Sequence, residues 1–259
     1  MKLLTSNAKL EKCAKFGALS VGLQLMPATR LRDVAIMGFT NICPDSTPGC
    51  RAACLASAGR GSFPVVRSAR KARTRLFKSD RRRFLDQLHL ELSAHERRSA
   101  RQGLRPAVRL NVLSDIPWEE IDPTLFSHHP ELVFYDYSKS YDRALDFCLS
   151  GDHPRNYHLT FSWSGQNLAQ CLTVLSAGGN VAIPVSDRIK THCLSDGQFP
   201  PFEETEQSVR FELSGINHGD LTFVDGDIHD LTYQHPPGSI LLLSQKGKAK
   251  RDRSGFVIR

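Results

Sequence analysis

Residues 107–115 read Ala107-Val108-Arg109-Leu110-Asn111-Val112-Leu113-Ser114-Asp115. An apolar run of strand length, rich in β-branched residues, runs straight into three small polar side chains, Asn111, Ser114 and Asp115. The same habit recurs downstream. Leu132-Val133-Phe134-Tyr135-Asp136-Tyr137 leads to Ser138 and Lys139, and Tyr157-His158-Leu159-Thr160-Phe161-Ser162 leads to Ser164. Asn180-Val181-Ala182-Ile183-Pro184-Val185 reads as a fourth strand. Between these runs lie stretches long enough for helices, such as Gln166 to Leu175, which ends at Gly178-Gly179. Strands alternating with helical segments predict an α/β fold built on parallel βα units, a partial or full TIM-like barrel. In such a barrel, or in an open parallel sheet, ligands bind at the carboxyl ends of the strands. Any one polar strand end reads as an ordinary turn or cap; three in succession point to a shared site.

Upstream, Val65 to Gln102 carries a long polar helical pattern. Phe84, Leu88 and Leu92 fall four apart on one face, and Gly103 is placed to stop the helix. Downstream, Leu221 to Asp230 is acidic and contains His229, and Gly238 to Ser244 is an apolar strand. The expected organisation is one domain over 1–259. An N-terminal segment, 1–62, carries a cysteine loop; 63–195 forms the βα core; 196–259 forms a C-terminal β-rich extension.

The loop is Cys43-Pro44-Asp45-Ser46-Thr47-Pro48-Gly49-Cys50-Arg51-Ala52-Ala53-Cys54, with spacing C-x6-C-x3-C. Three thiolates on one short loop suit a soft metal centre. A closed structural zinc site wants four protein ligands, and the fourth would come from Cys13, His192 or Cys193. A 4Fe-4S iron–sulfur cluster held by Cys43, Cys50 and Cys54 alone keeps one iron open for a ligand. A third reading leaves the cysteines as small buried hydrophobes; it suits Cys148 and Cys171, set among apolar residues, better than this Pro- and Gly-rich loop.

The chain has 259 residues, 40% hydrophobic and 24% charged, with a formal net charge of +7. Much of that charge is concentrated: Arg60 to Arg83 holds ten Lys or Arg against one acid, Asp80. Such a segment is either a solvated helix face or a docking surface for nucleic acid or a nucleotide-like anion. Asp225, Asp227 and Asp230 read either as a hard-cation site or as an Asp-Gly turn with capping carboxylates. Lys246-Gly247-Lys248-Ala249-Lys250-Arg251 is either a phosphate grip or a solvated loop. No apolar run approaches the roughly 18 residues of a membrane helix, and the first residues lack the apolar core of a secretion signal. The expected location is the cytoplasm, and no membrane partner is expected. No G-x-S-x-G elbow and no phosphate-binding G-x-x-x-x-G-K-[ST] loop is present.

Several motifs together resemble a phage family, gene product 88. They are Leu4-Thr5-Ser6-Asn7, Cys43-Pro44, Gly49-Cys50, Cys54-Leu55 and Ala58-Gly59-Arg60-Gly61. Further along come Val108-Arg109-Leu110-Asn111, Ser114-Asp115, Trp118-Glu119, Phe134-Tyr135-Asp136-Tyr137-Ser138-Lys139, Asn156 to Ser162, Asp225-Gly226-Asp227 and Lys246-Gly247-Lys248-Ala249-Lys250. The resemblance runs nearly end to end and implies a phage or prophage origin. In architecture the chain also resembles, more distantly, the radical S-adenosylmethionine enzymes, which pair a βα barrel with a three-cysteine 4Fe-4S cluster. Their common spacing is C-x3-C-x2-C, which differs from the loop here. That likeness implies Cys43, Cys50 and Cys54 as cluster ligands and S-adenosylmethionine as a further cofactor. Asn111, Ser114, Ser162 and Asn167 are then the expected cofactor-binding groups, and Asp115, Asp136 and Lys139 the expected catalytic groups, acting on an anionic or nucleotide-like substrate. The alternative is a zinc-stabilised nucleic-acid-binding protein without catalysis, using the basic segment 60–83.

Overall fold

The computed structural model describes residues 1–27, 41–199 and 221–259. Residues 200–220 of the expected C-terminal extension therefore lie outside the described residues, as does 28–40 of the N-terminal segment. Among the described residues an eight-stranded sheet forms the centre. Its strands are β1 (Leu4–Thr5), β2 (Ala18–Leu23), β3 (Arg105–Arg109), β4 (Val133–Ser138), β5 (Tyr157–Ser162), β6 (Val181–Val185), β7 (Thr222–Asp225) and β8 (Ser239–Ser244). They lie in the order β1-β2-β3-β4-β5-β6-β8-β7. Only the short β1 runs antiparallel to its neighbour; all other pairs are parallel.

The four expected strands are thus consecutive parallel neighbours. β3 starts two residues earlier than the apolar run suggests, because Arg105 and Pro106 pair with Ala18 and Leu19 of β2. It ends at Arg109, since Asn111 turns its polar groups to the following loop rather than to a ladder. β8 pairs with β6, and β7 with β8, so the C-terminal strands extend this same sheet.

Period-two alternation sorts the strand side chains onto two faces. Val108 and Leu110, with Phe134, pack under Phe77, Phe84, Leu88 and Leu92. Those four come from helices α3 (Pro64–Ser79) and α4 (Arg81–Arg101). Phe161, Val181, Ile183, Ile240 and Leu242 pack under residues of three later helices, α7 (Tyr141–Leu149), α8 (Leu168–Ser176) and α9 (Asp187–Asp196). On the opposite face, Ala18, Ala107 and Tyr135 meet Leu10, Cys13 and Leu231 in a small cluster. The helices that follow the strands therefore cover one face, and the other holds a small core and the polar site.

The single helix expected over 65–102 is two helices. Asp80 leaves helical geometry at φ −148°, ψ 76°, and its side chain accepts from the Arg83 backbone N–H. Asp is a strong N-cap, so it ends α3 and starts α4 in one residue. Gly103, at φ +64°, follows the end of α4 as expected.

Candidate active site

The cysteine loop is built on its own polar residues. Asn41 accepts from the Cys43 backbone N–H at 2.9 Å and donates to the Cys43 carbonyl at 2.8 Å. Thr47 caps the short helix α2 (Pro48–Ala52) by accepting from Cys50 N–H, and Pro48 supplies its first turn. The loop is then tied across the strand ends. The Asp115 N–H donates to the Ile42 carbonyl at 2.8 Å, the Cys43 thiol donates to the Leu113 carbonyl at 3.4 Å, and the Thr47 hydroxyl donates to the Ser164 carbonyl at 2.7 Å. It therefore sits at the carboxyl ends of β3 and β5.

Under the loop lies a cavity of about 270 Å³. Cys43, Cys50 and Cys54 line it, and so do Asn111, Ser114, Asp115, Lys139 and Ser162. Asp136 and Asn167 do not. Asn167 holds the turn after β5, accepting from Ser164 N–H at 2.7 Å and donating to the Ser162 carbonyl at 3.2 Å. Asp136 is fully buried behind Asn111. It accepts from the Asn111 backbone N–H at 2.6 Å, the Asn111 side-chain amide at 3.2 Å and the Tyr157 hydroxyl at 2.9 Å. Complete burial outweighs those donors and pushes its carboxyl up to about 7. Asn111 in turn accepts from Ser114 Oγ, Ile116 N–H and Trp118 Nε1. It is the hub that folds the 110–118 turn.

Asp115 and Lys139 meet through the main chain: the Lys139 N–H donates to Asp115 Oδ2 at 2.7 Å, while Lys139 Nζ donates to the Trp163 carbonyl at 3.1 Å. The Asp115 Oδ1 lies 3.5 Å from Arg143, and burial raises its pKa above the ordinary carboxylate range. Burial also raises the Cys54 thiol, with nearby Cys50 adding to the effect and Arg70 and Lys139 opposing it.

None of the seven cysteines forms a disulfide. Among the described residues, no three His, Cys, Asp or Glu side chains gather tightly enough to hold a metal ion. Nor do the candidate fourth ligands reach the loop. Cys13 is buried against Leu10 and Leu231, Cys193 among the α9 contacts, and His192 pairs with Asp196. The three loop thiols border an open cavity rather than closing a tetrahedron.

The hard-cation reading of the acidic segment is overturned, because each carboxylate already has its own cations. Asp225 and Asp227 pair with Lys190, and Asp227 also with Lys246. Asp230 pairs with Lys9 and Arg109. The turn reading holds instead: Asp225 accepts from the Asp227 N–H at 2.8 Å. The basic segment is also divided. Arg70 and Arg73 are buried, Arg70 donating to Gln24, Ala56 and Gly61 and Arg73 to the Lys2 carbonyl. Arg60, Arg75, Arg81, Arg82 and Arg83 remain on the surface. Among the described residues no helix is long and apolar enough to cross a membrane.

A family model described as Gene product 88 matches residues 1–259, the whole chain. The chain belongs to the gene product 88 family. No curated protein and no solved structure matches it, so in this gene product 88 chain the site has to be read from its own residues. Those include a group the strand-end reasoning passes over: Lys9, Arg109, Tyr137 and Lys246 also line the cavity. One signal for Arg109 was present, a charged residue alternating with Val108 and Leu110, which points it away from the helix-covered face. Nothing local announces Lys9, and nothing in the sequence ties the carboxylate of Asp230 to it or to Arg109.

Proposed function

We propose that this gene product 88 chain is a phage-type iron–sulfur protein, an enzyme resembling the radical S-adenosylmethionine class and acting on an anionic substrate. One observation carries the reading: Cys43, Cys50 and Cys54 border a single cavity at the carboxyl ends of parallel strands, together with Asn111, Ser114, Asp115, Lys139 and Ser162. Sheet order lends support. β2 through β6 follow one another without a reversal, and right-handed crossovers then put the helices that connect them on one face. Such a winding is compatible with a partial TIM-like barrel, in which ligands would bind at the strand carboxyl ends.

Cys43, Cys50 and Cys54 would hold the cluster, which supplies one-electron chemistry and an open iron position for a ligand such as S-adenosylmethionine. The chain's own residues shape the rest. Asn111 fixes the 110–118 turn so that Ser114 and Asp115 face the cavity, and Lys139 offers a positioned ammonium held by the Trp163 carbonyl. Arg51, whose side chain donates to the Ser46 carbonyl, stiffens the thiol loop.

Anaerobic reconstitution with iron and sulfide, followed by metal analysis and an absorption spectrum with and without S-adenosylmethionine, tests the reading. Alanine at Cys43, Cys50 or Cys54 should abolish iron binding, and alanine at Cys148 or Cys171 should leave it unchanged. Protein that takes up no iron, or that keeps it in all five variants, overturns the assignment.

A further inference from the structure

Five cationic side chains, Lys9, Arg51, Arg109, Lys139 and Lys246, line the cavity against two carboxylates, Asp115 and Asp227. Most of these charges have local partners. Lys246 pairs with Asp227 at 2.6 Å, and Asp115 has Arg143 beside it. Lys9 and Arg109 differ, because both lean on one carboxylate. Lys9 Nζ reaches Asp230 Oδ1 at 2.8 Å, and Arg109 NH1 reaches Oδ2 at 2.9 Å. Asp230 is 1% exposed, while the two cations keep 24% and 15% of their side chains open.

Two positive charges over one negative leave a net positive charge in a largely desolvated wall. A buried surplus charge is costly unless a counter-charge meets it. The hydrogen-bonding capacity of this cluster is also unspent. Arg109 uses only its NH1 nitrogen, on Asp230; its Nε is buried with no hydrogen-bond partner. The Tyr137 hydroxyl is likewise buried and without a partner. The Arg109 guanidinium lies 4.4 Å from the Tyr137 ring centroid and Lys9 Nζ 5.9 Å from it. The planar fork of an arginine beside an ammonium and a phenol is a donor set matched to a carboxylate or phosphate oxygen pair.

We infer that Lys9, Arg109 and Tyr137 form an oxyanion subsite that anchors a carboxylate or phosphate group of the substrate. The inference rests on the proposed function only in taking this cavity as the substrate site. Asp230 is its positioning residue, holding both cations at the wall. The subsite orients the substrate by one charged end and leaves its remainder under the thiols.

The test is a titration of the full-length protein, with and without reconstituted iron, by inorganic phosphate and by acetate. Both are run against chloride at constant ionic strength, and binding is read by the rise in melting temperature and by intrinsic fluorescence. Saturable stabilisation by phosphate or acetate and none by chloride is expected, and the stronger of the two identifies the group. Lys9→Met removes the surplus charge yet leaves Arg109 and Asp230 as a neutral pair, so it should keep its fold. It should weaken oxyanion binding about tenfold or more, the size of a lost charged hydrogen bond. Tyr137→Phe should weaken it as well without lowering the melting temperature, since its hydroxyl supports no other group. Absence of saturable binding in the wild type overturns the subsite, and so does equal binding by wild type and both variants. Because the titration does not need iron, loss of the cluster reading and loss of the subsite are separate results.

Discussion

Arg109 and Asp230 stand 121 residues apart in the chain, yet Arg109 NH1 donates to Asp230 Oδ2 at 2.9 Å. The pair joins β3 to the segment between β7 and β8 across the face that the helices leave uncovered. Burial alone would raise the Asp230 carboxyl, but Arg109 and Lys9 together outweigh it and hold the group below the usual range. Asp230→Asn strands both cations in a buried wall. Loss of one partner from a buried ion pair costs about 3–5 kcal/mol, and chemical denaturation of the variant should show a loss of that size. The wild-type contribution is present above the ordinary carboxylate pKa of about 4 and is lost as pH falls through the depressed value. Asp230→Asn should accordingly flatten the acid limb of the stability curve. An unchanged acid limb would show that the pair carries no net stability.

Asp136 acts with the opposite sign. Its carboxyl is pushed up to about 7, so between about pH 4 and that value the folded chain binds a proton that the unfolded chain has released. Folding stability from this group is complete below about pH 4 and is lost as pH rises toward 7, by at most about 1.4 kcal/mol per pH unit. Asp136→Asn cannot titrate. Its denaturation midpoint should lose that downward slope between pH 4 and 7, and a slope retained in full would assign it to another group.

Arg70 fastens the segment that follows the third cysteine. It donates to the Ala56 carbonyl at 2.9 Å, the Gly61 carbonyl at 3.2 Å and Gln24 Oε1 at 2.9 Å. Arg70→Ala leaves three acceptors without their charged donor and should cost about 2–3 kcal/mol. Arg75→Ala, on the same helix but exposed, should stay within about 0.5 kcal/mol. Thermal unfolding of the two variants measures the difference; equal melting temperatures would mean that the buried contacts contribute nothing.

Periodicity and strand-end chemistry carried the reading of the sheet a long way, because β3 to β6 obey local rules. Apolar runs such as Tyr157 to Ser162 became strands with those bounds, and Cys43, Asn111 and Lys139 came to one cavity because parallel strands share a carboxyl edge. The failures were long-range. Arg70 and Arg73 sit in a run that scans as a solvated face, and only the positions of Gln24, Ala56 and Lys2 turn them inward. Asp230 looks like a turn carboxylate until α1 (Ala8–Lys12) and β3 deliver Lys9 and Arg109 to it. Asp136 ends an apolar run as Asp115 does, but its strand parity sends it behind Asn111 and away from the cavity.

Gly49 couples the cysteine loop to the C-terminal segment. A Cβ at this position would stand 2.6 Å from Ser254 Oγ and 3.1 Å from the Phe256 Cβ, closer than side-chain carbons pack. The glycine is therefore required by close approach, directly before Cys50 and five residues before Cys54, and any side chain here must move the loop or the 252–257 segment. Ser254 Oγ is itself held at 2.7 Å by Asp252 Oδ1, so it does not rotate away without losing that bond. Overpacking of this kind costs about 1–3 kcal/mol. Gly49→Ala should lose that much stability and, on the iron–sulfur reading proposed above, should bind iron more weakly after reconstitution, since it displaces the thiols' own turn. Ser254→Ala removes the nearest clashing atom and should recover part of both losses in the double variant, a coupling that a double-mutant cycle measures directly. Additive losses in the cycle would show that the two segments do not press on each other.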